Sequence, residues 1–134
     1  MKNLNDIGLL VLRVGAGLTI LVAHGIPKII KPEGFIGALA QNGFPLPKLS
    51  AYLSISAETI FPIMIILGLL TRASSAIAAF NMFVAGIVFH LMIKGDPLGN
   101  YERAILYFFI FTVLAITGSG KYSVEKLFNN SPKV

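Results

Sequence analysis

The chain has no cysteine and no tryptophan. Without cysteine there is no disulfide framework, no thiolate metal site and no Cys-x-x-Cys redox pair. Acidic residues are scarce, six Asp and Glu against eleven Lys and Arg in 134 residues. Charged residues make up only 13%, about half of what a soluble domain carries. So little charge also excludes a solvated, disordered chain. No P-loop is present, and Gly15-Ala16-Gly17, the nearest match to a dinucleotide fingerprint, lies within an apolar run with no strand before it. No serine-centred nucleophile motif occurs. What is present is apolar material, 55% of the chain, and it is gathered into long runs.

A membrane-spanning helix needs about 20 mostly apolar residues. Four stretches qualify, at about 7–26, 49–70, 75–93 and 102–118. They consume most of the chain, which reads as one membrane domain over residues 1–134. The connections are short, so neighbouring helices should run antiparallel. The expected architecture is all-α: a polytopic membrane protein built as an up-down bundle of four transmembrane helices. Phe35, Ile36, Leu39 and Ala40 recur at helical spacing between Pro32 and Gly43, which predicts a short interfacial helix between spans one and two. Asn5 or Asp6 should cap the first helix and Pro27 should close it. Thr71-Arg72-Ala73 should turn between spans two and three, and Ser123 should cap a short helical turn running to Phe128. Arg13 interrupts what would be the apolar core of a signal peptide, and no small-x-small site follows, so the first helix is expected to be retained.

The net charge of +5 would suggest nucleic acid in a soluble protein, but Lys28, Lys31, Lys48 and Lys94 sit between apolar runs. They read as anchors at the headgroups, and nucleic-acid binding is excluded. In the up-down order, Lys2, Arg72, Lys121, Lys126 and Lys133 fall on the side of the termini. Lys28, Lys31, Lys48, Lys94 and Arg103 fall on the other, a tie under the positive-inside rule. The amino-terminal charge tips the expectation towards both termini being cytoplasmic. Close helix packing in hydrocarbon depends on small residues. Gly15 and Gly17, and the stripe Ser75, Ala79 and Gly86, should supply it.

Five ionisable residues lie within or beside the apolar runs: Arg13, His24, Glu58, His90 and Glu102. Each costs roughly 2.5–3.5 kcal/mol at a helix centre, so each needs a partner or a function. If both spans are centred in the bilayer, Arg13 and Glu58 differ by only about 7–8 Å in depth at 1.5 Å per residue. An intramembrane ion pair between Arg13 and Glu58 is expected. His24, His90 and Glu102 fall at the opposite end of the bundle, with Tyr107 near Glu102 in sequence. They should line a polar pocket entered from the side away from the termini. Its donors and the neighbouring Phe108 and Phe109 would suit a quinone head group. Haem ligation by His24 and His90 is disfavoured, since both rings would have to face one cavity, and a metal held by the two histidines with Glu102 is disfavoured as well. Hydration at the headgroups and proton transfer through Glu58 and the histidines are the other readings of these residues.

Several motifs together resemble the DoxX family of small four-helix membrane proteins, over about residues 7–125. They are Leu12-Arg13-Val14-Gly15 with His24-Gly25-x-x-Lys28, Ala57-Glu58 with Pro62, and Gly68-Leu69-Leu70-Thr71-Arg72. Further on come Asn100-Tyr101-Glu102 and Gly118-x-Gly-Lys-Tyr-Ser-Val-Glu125, the last with Glu125 where the family pattern has Asp. The resemblance implies Arg13, His24, Glu58 and Glu102 as functional residues. The family includes a subunit of an archaeal thiosulfate:quinone oxidoreductase and relatives linked to redox maturation and oxidative stress. By resemblance the chain is therefore a membrane subunit of a quinone-linked redox system, acting with a partner redox subunit or as a homo-oligomer. The alternative is a non-catalytic assembly partner, or a binder or carrier of lipid or another small ligand.

Overall fold

A computed structural model describes residues 2–130, and these are helical with no strand among them. Helix α1 (Lys2–Ile30) is followed by α2 (Pro32–Gln41), α3 (Pro47–Leu67) and α4 (Thr71–Lys94). A single 3₁₀ turn at Leu98–Asn100 leads into α5 (Glu102–Thr117), and α6 (Val124–Asn129) follows. The short helix expected between Pro32 and Gly43 is α2. Among the described residues three helices are long and apolar enough to cross a bilayer: α1 with 29 residues, α3 with 21 and α4 with 24. Helix α5 has 16 residues, about 24 Å against a hydrocarbon core of about 30 Å. It packs chiefly along α4 and also touches α1.

The polarity is inverted relative to a soluble bundle. Large apolar side chains such as Val11, Leu53, Ile60, Phe80, Leu106 and Ile116 face outwards. The interior holds Ile20, Ile65, Met82, Phe111 and Leu114 together with Arg13, Glu58, Thr59, Thr71, Ser74 and Ser75. With lipid as the outer solvent, polar groups gain by turning inwards, where partners exist.

Several local expectations are corrected. Asn5 and Asp6 do not cap α1, because the helix already runs from Lys2. Asp6 instead accepts a hydrogen bond from the Lys121 backbone N–H at 3.0 Å. Pro27 does not close α1 either. Residues Leu21–Gly25 form a wide π-helical segment, and the α-helix resumes over Ile26–Ile30 with Pro27 in its first turn. Thr71 belongs to α4, and the reversal before it is made by Gly68 at φ 76° and Leu70 at φ 44°. Ser123 makes no side-chain cap; its hydroxyl donates to the Gly120 carbonyl.

Two glycines set how α1 lies on α3. A Cβ on Gly17 would meet the Ile66 side chain and the Pro62 carbonyl. A Cβ on Gly25 would fall 2.2 Å from the Glu58 carbonyl oxygen. That carbonyl is the one whose helical donor Pro62 cannot supply, since proline has no N–H. Gly25, in the wide turn of α1, therefore approaches the backbone at its exposed acceptor. On the other side of the bundle, Gly86 packs beside Ala104 and shares a buried stripe with Ser75 and Ala79. Gly15 has no neighbour within 4 Å of its would-be Cβ and lines a groove.

Candidate functional site

The polar residues within the bundle form two separate groups. The first lies at the end of the bundle where α1 begins and α5 ends. Arg13 is 1% exposed. Its Nη1 donates to the Ser119 carbonyl and its Nη2 to the Tyr122 carbonyl, the latter at 2.7 Å. Both carbonyls belong to the loop between α5 and α6, which folds under the bundle through Gly118 and Gly120, both at positive φ. Gly68 gives the guanidinium room, since a Cβ there would lie 3.2 Å from Arg13 Cζ. Glu125 accepts the Ser119 hydroxyl and, at 3.4 Å, the Thr71 backbone N–H. The Glu125 backbone N–H in turn donates to the Gly68 carbonyl at 3.1 Å. The residues of Gly68-Leu69-Leu70-Thr71 and of Gly118-x-Gly-Lys-Tyr-Ser-Val-Glu125 are thus one structural unit around Arg13.

The second group lies deeper. Glu58 is 2% exposed and accepts from Lys28 Nζ at 2.6 Å and from Asn81 Nδ2 at 3.5 Å. The Lys28 ammonium also sits 4.2 Å from the centre of the Phe35 ring, on α2, a cation–π contact. Three spanning helices and the short α2 therefore meet at one carboxylate. The wide turn in α1 places Gly25 against Glu58 and brings Lys28, one turn on, within reach of it. His24, in the same wide turn, stacks edge-on against Tyr107 of α5, ring centres 6.4 Å apart.

The expected Arg13–Glu58 pair is not formed; each has other partners. The spans are not centred at one level. The glycine contacts instead set Gly25 level with Glu58 and Arg13 level with Gly68. Along α3 that separates the two charges by about 15 Å at 1.5 Å per residue. The expected pocket is divided as well. His24 and Tyr107 do meet. His90 Nδ1 lies 2.7 Å from Asp96 Oδ2, and Lys94 Nζ lies 3.2 Å from the same oxygen. The Asp96 backbone N–H donates to the His90 carbonyl, so this cluster closes the end of α4. The hydrogen bond from His90 holds the Asp96 carboxyl below its ordinary value, and Lys94 adds to this. Glu102 is exposed in the first turn of α5, where it complements the positive end of the helix. Among the described residues no group of three or more potential ligands could hold a metal.

Lys28, Asn81 and Phe35 at the deep site were missed by the sequence reading, as were Ser119, Tyr122 and Glu125 around Arg13. A signal existed for Lys28. His24 and Lys28 are one turn apart, on one helix face, if the helix is allowed to continue through Pro27. Asn81 is a polar residue in the middle of an apolar run.

Beside His24 and Tyr107, a groove of about 400 Å³ runs between α1 and α5. Its walls are mainly apolar, with Val11, Leu12, Ala16, Leu106 and Ile110, and it also bears Thr19, Arg103 and Tyr107. Val11, Gly15 and Leu106 are exposed along it, so it opens sideways, in the direction lipid would occupy.

A family model described as DoxX matches residues 8–91. The chain is 31% identical to the inner membrane protein YqjF of Escherichia coli (strain K12), over 96% of this chain and 98% of that one. It is 29% identical to the inner membrane protein YphA of the same organism, over 88% of each. An uncharacterized protein of Haemophilus influenzae is 28% identical over 80% of this chain and 81% of its own. No solved structure gives a significant match.

Proposed function

This chain belongs to the DoxX family of integral membrane proteins, and from that premise we propose that it is a membrane subunit of a quinone-linked redox system. In this reading the quinone head lies in the groove between α1 and α5. One observation carries it: a laterally open, mainly apolar groove of about 400 Å³ that bears Tyr107, Thr19 and Arg103, with His24 against Tyr107. The volume falls within the range of small-ligand sites, about 300–1,000 Å³. A quinone ring needs flat apolar walls and donors for two carbonyls. Leu106 and Ile110 offer apolar but not flat walls, because the expected Phe108 and Phe109 do not line the groove; the Tyr107 hydroxyl and the Arg103 guanidinium offer the donors. Thr19 donates to the Gly15 carbonyl, so it can act towards a ligand only as an acceptor. A bound quinone supplies two-electron, two-proton chemistry. The chain's own residues bind and orient its head, and His24 lies where a proton could pass between the head and the Glu58–Lys28 site. With no cysteine in the chain, electrons would come from a partner redox subunit.

The same proposal takes α5 as a fourth, short span completing an up-down bundle, with both termini cytoplasmic. Glu58, His24 and Tyr107 then form the functional set, and His90 and Glu102 serve the helix ends. The sideways opening also favours a second reading, a binder or carrier of lipid, because an acyl chain could lie along the same walls.

The deciding experiment is organic extraction and mass spectrometry of the purified protein, followed by titration with a short-chain ubiquinone. We expect retained or saturable quinone, about tenfold weaker binding in Tyr107→Phe, the loss of roughly one hydrogen bond to the head, and a smaller loss in His24→Ala, which removes the ring packed against Tyr107. Extracts that contain only phospholipid, with no saturable quinone binding, would exclude the redox reading in favour of the second.

A further inference from the structure

We propose that the cavity beside the loop between α5 and α6 binds the headgroup of an anionic phospholipid. The cavity measures about 470 Å³. It lies where α1 begins, α4 begins and α5 ends, below the loop that holds Arg13. Three cations from three segments line it: Arg72 of α4, Lys121 of the loop and Lys126 of α6. None of them has an acidic partner among the described residues, where the ion pairs are Lys28–Glu58, His90–Asp96 and Lys94–Asp96.

Two acids share the lining, Asp6 and Glu125, and both are engaged elsewhere. Asp6 accepts the Lys121 backbone N–H. Glu125 accepts the Ser119 hydroxyl and the Thr71 N–H. The lining therefore carries three cations against two carboxylates, a net charge of +1, and both carboxylates are held by hydrogen bonds to the backbone and a hydroxyl while the three cations have no ion-pair partner. Its shape depends on the loop: Gly118 is at φ 83°, and a Cβ there would lie 3.2 Å from Arg72 Nε. Next to Arg72, Leu70 is exposed; beyond Lys126, Phe128 is exposed. Apolar surface beside a cationic hollow fits an amphiphile with an anionic head and acyl tails. A free inorganic anion would have no use for that apolar rim. The site shares no lining residue with the groove between α1 and α5, and does not depend on the redox reading.

Native mass spectrometry of the full chain in detergent, titrated with phosphatidylglycerol or phosphatidylcholine, tests it. We expect phosphatidylglycerol to be retained preferentially. A cation near headgroups contributes about a fivefold factor in affinity. Lys121→Gln/Lys126→Gln should then weaken retention about 25-fold, and adding Arg72→Gln should weaken it about 100-fold. The double variant alters only exposed side chains, so it stays informative should the triple variant fail to fold. Unchanged retention in the folded double variant would overturn the assignment, as would equal retention of phosphatidylcholine. Displacement of the lipid by millimolar inorganic phosphate would assign the cavity to a free anion instead.

Discussion

Arg13 and Glu58 are almost equally buried, yet they are held in different ways. Arg13 is fixed by two backbone carbonyls of a loop that itself depends on glycines and on Glu125. Glu58 is held by two side chains, Lys28 and Asn81, and the Lys28 side chain remains 23% exposed. Backbone acceptors cannot move without unfolding the loop. A lysine at the end of a helix can swing away and return. The first arrangement suits a fastening that ties the C-terminal loop to the bundle. The second suits a site whose charge and partners change during work. Burial alone does not separate a structural ion from a functional one; the mobility of its partners does.

The sharpest way to break this contrast is to remove the fixed charge. Arg13→Leu leaves the Ser119 and Tyr122 carbonyls without donors and removes the positive charge beside Glu125. We expect a loss of about 3–5 kcal/mol, the usual cost of breaking a buried charged network. Unfolding in detergent with a graded denaturant would measure it. Glu58→Gln should not rescue the variant, because the two groups do not touch. A rescue would show that the two groups are coupled after all.

A smaller effect is expected at the movable pair. Lys28→Met leaves Glu58 with only the long contact to Asn81, at a cost of about 2–3 kcal/mol. In Lys28→Met/Glu58→Gln most of that loss should be recovered, because no unpaired charge remains. A double-mutant cycle should therefore give a coupling of about 1–3 kcal/mol. A coupling near zero would mean that Lys28 spends its time at the headgroups, and the distinction between the two clusters would narrow to one of depth.

Apolar run length and turn chemistry made the helical, membrane-embedded character readable, along with the short helix between Pro32 and Gly43. The site was readable only in its members. Arg13, Glu58 and His24 stand out because charge in an apolar run is expensive. Their pairing depends on the register of α1 against α3, and that register is set by Gly25 meeting a carbonyl freed by Pro62. No periodicity in either segment records such a contact. Pro27 was misread for a related reason: a wide turn lets a helix pass through proline, and propensity rules take no account of it. His90 was assigned to the pocket because it lies near the end of its run, where a local partner six residues on, Asp96, competes better than a distant one.

The smallest expected effect concerns that local clasp, which lies outside both buried clusters and serves as their control. Asp96 is held below the ordinary carboxylate range, first by His90 and then by Lys94. A carboxyl that is more acidic when folded contributes stability above its unfolded value, near 3.9, and loses it as pH falls through the lower folded value. Asp96→Asn should remove this dependence, so the wild-type protein should lose stability more steeply than the variant between about pH 4 and the folded value. The carboxylate lies in an exposed loop, where water and salt screen its interactions, so the effect should shrink at high ionic strength. The couplings at Glu58, shielded from solvent, should not. If salt weakened both alike, Glu58 would be as hydrated as Asp96, and its burial within the bundle would give it no special standing.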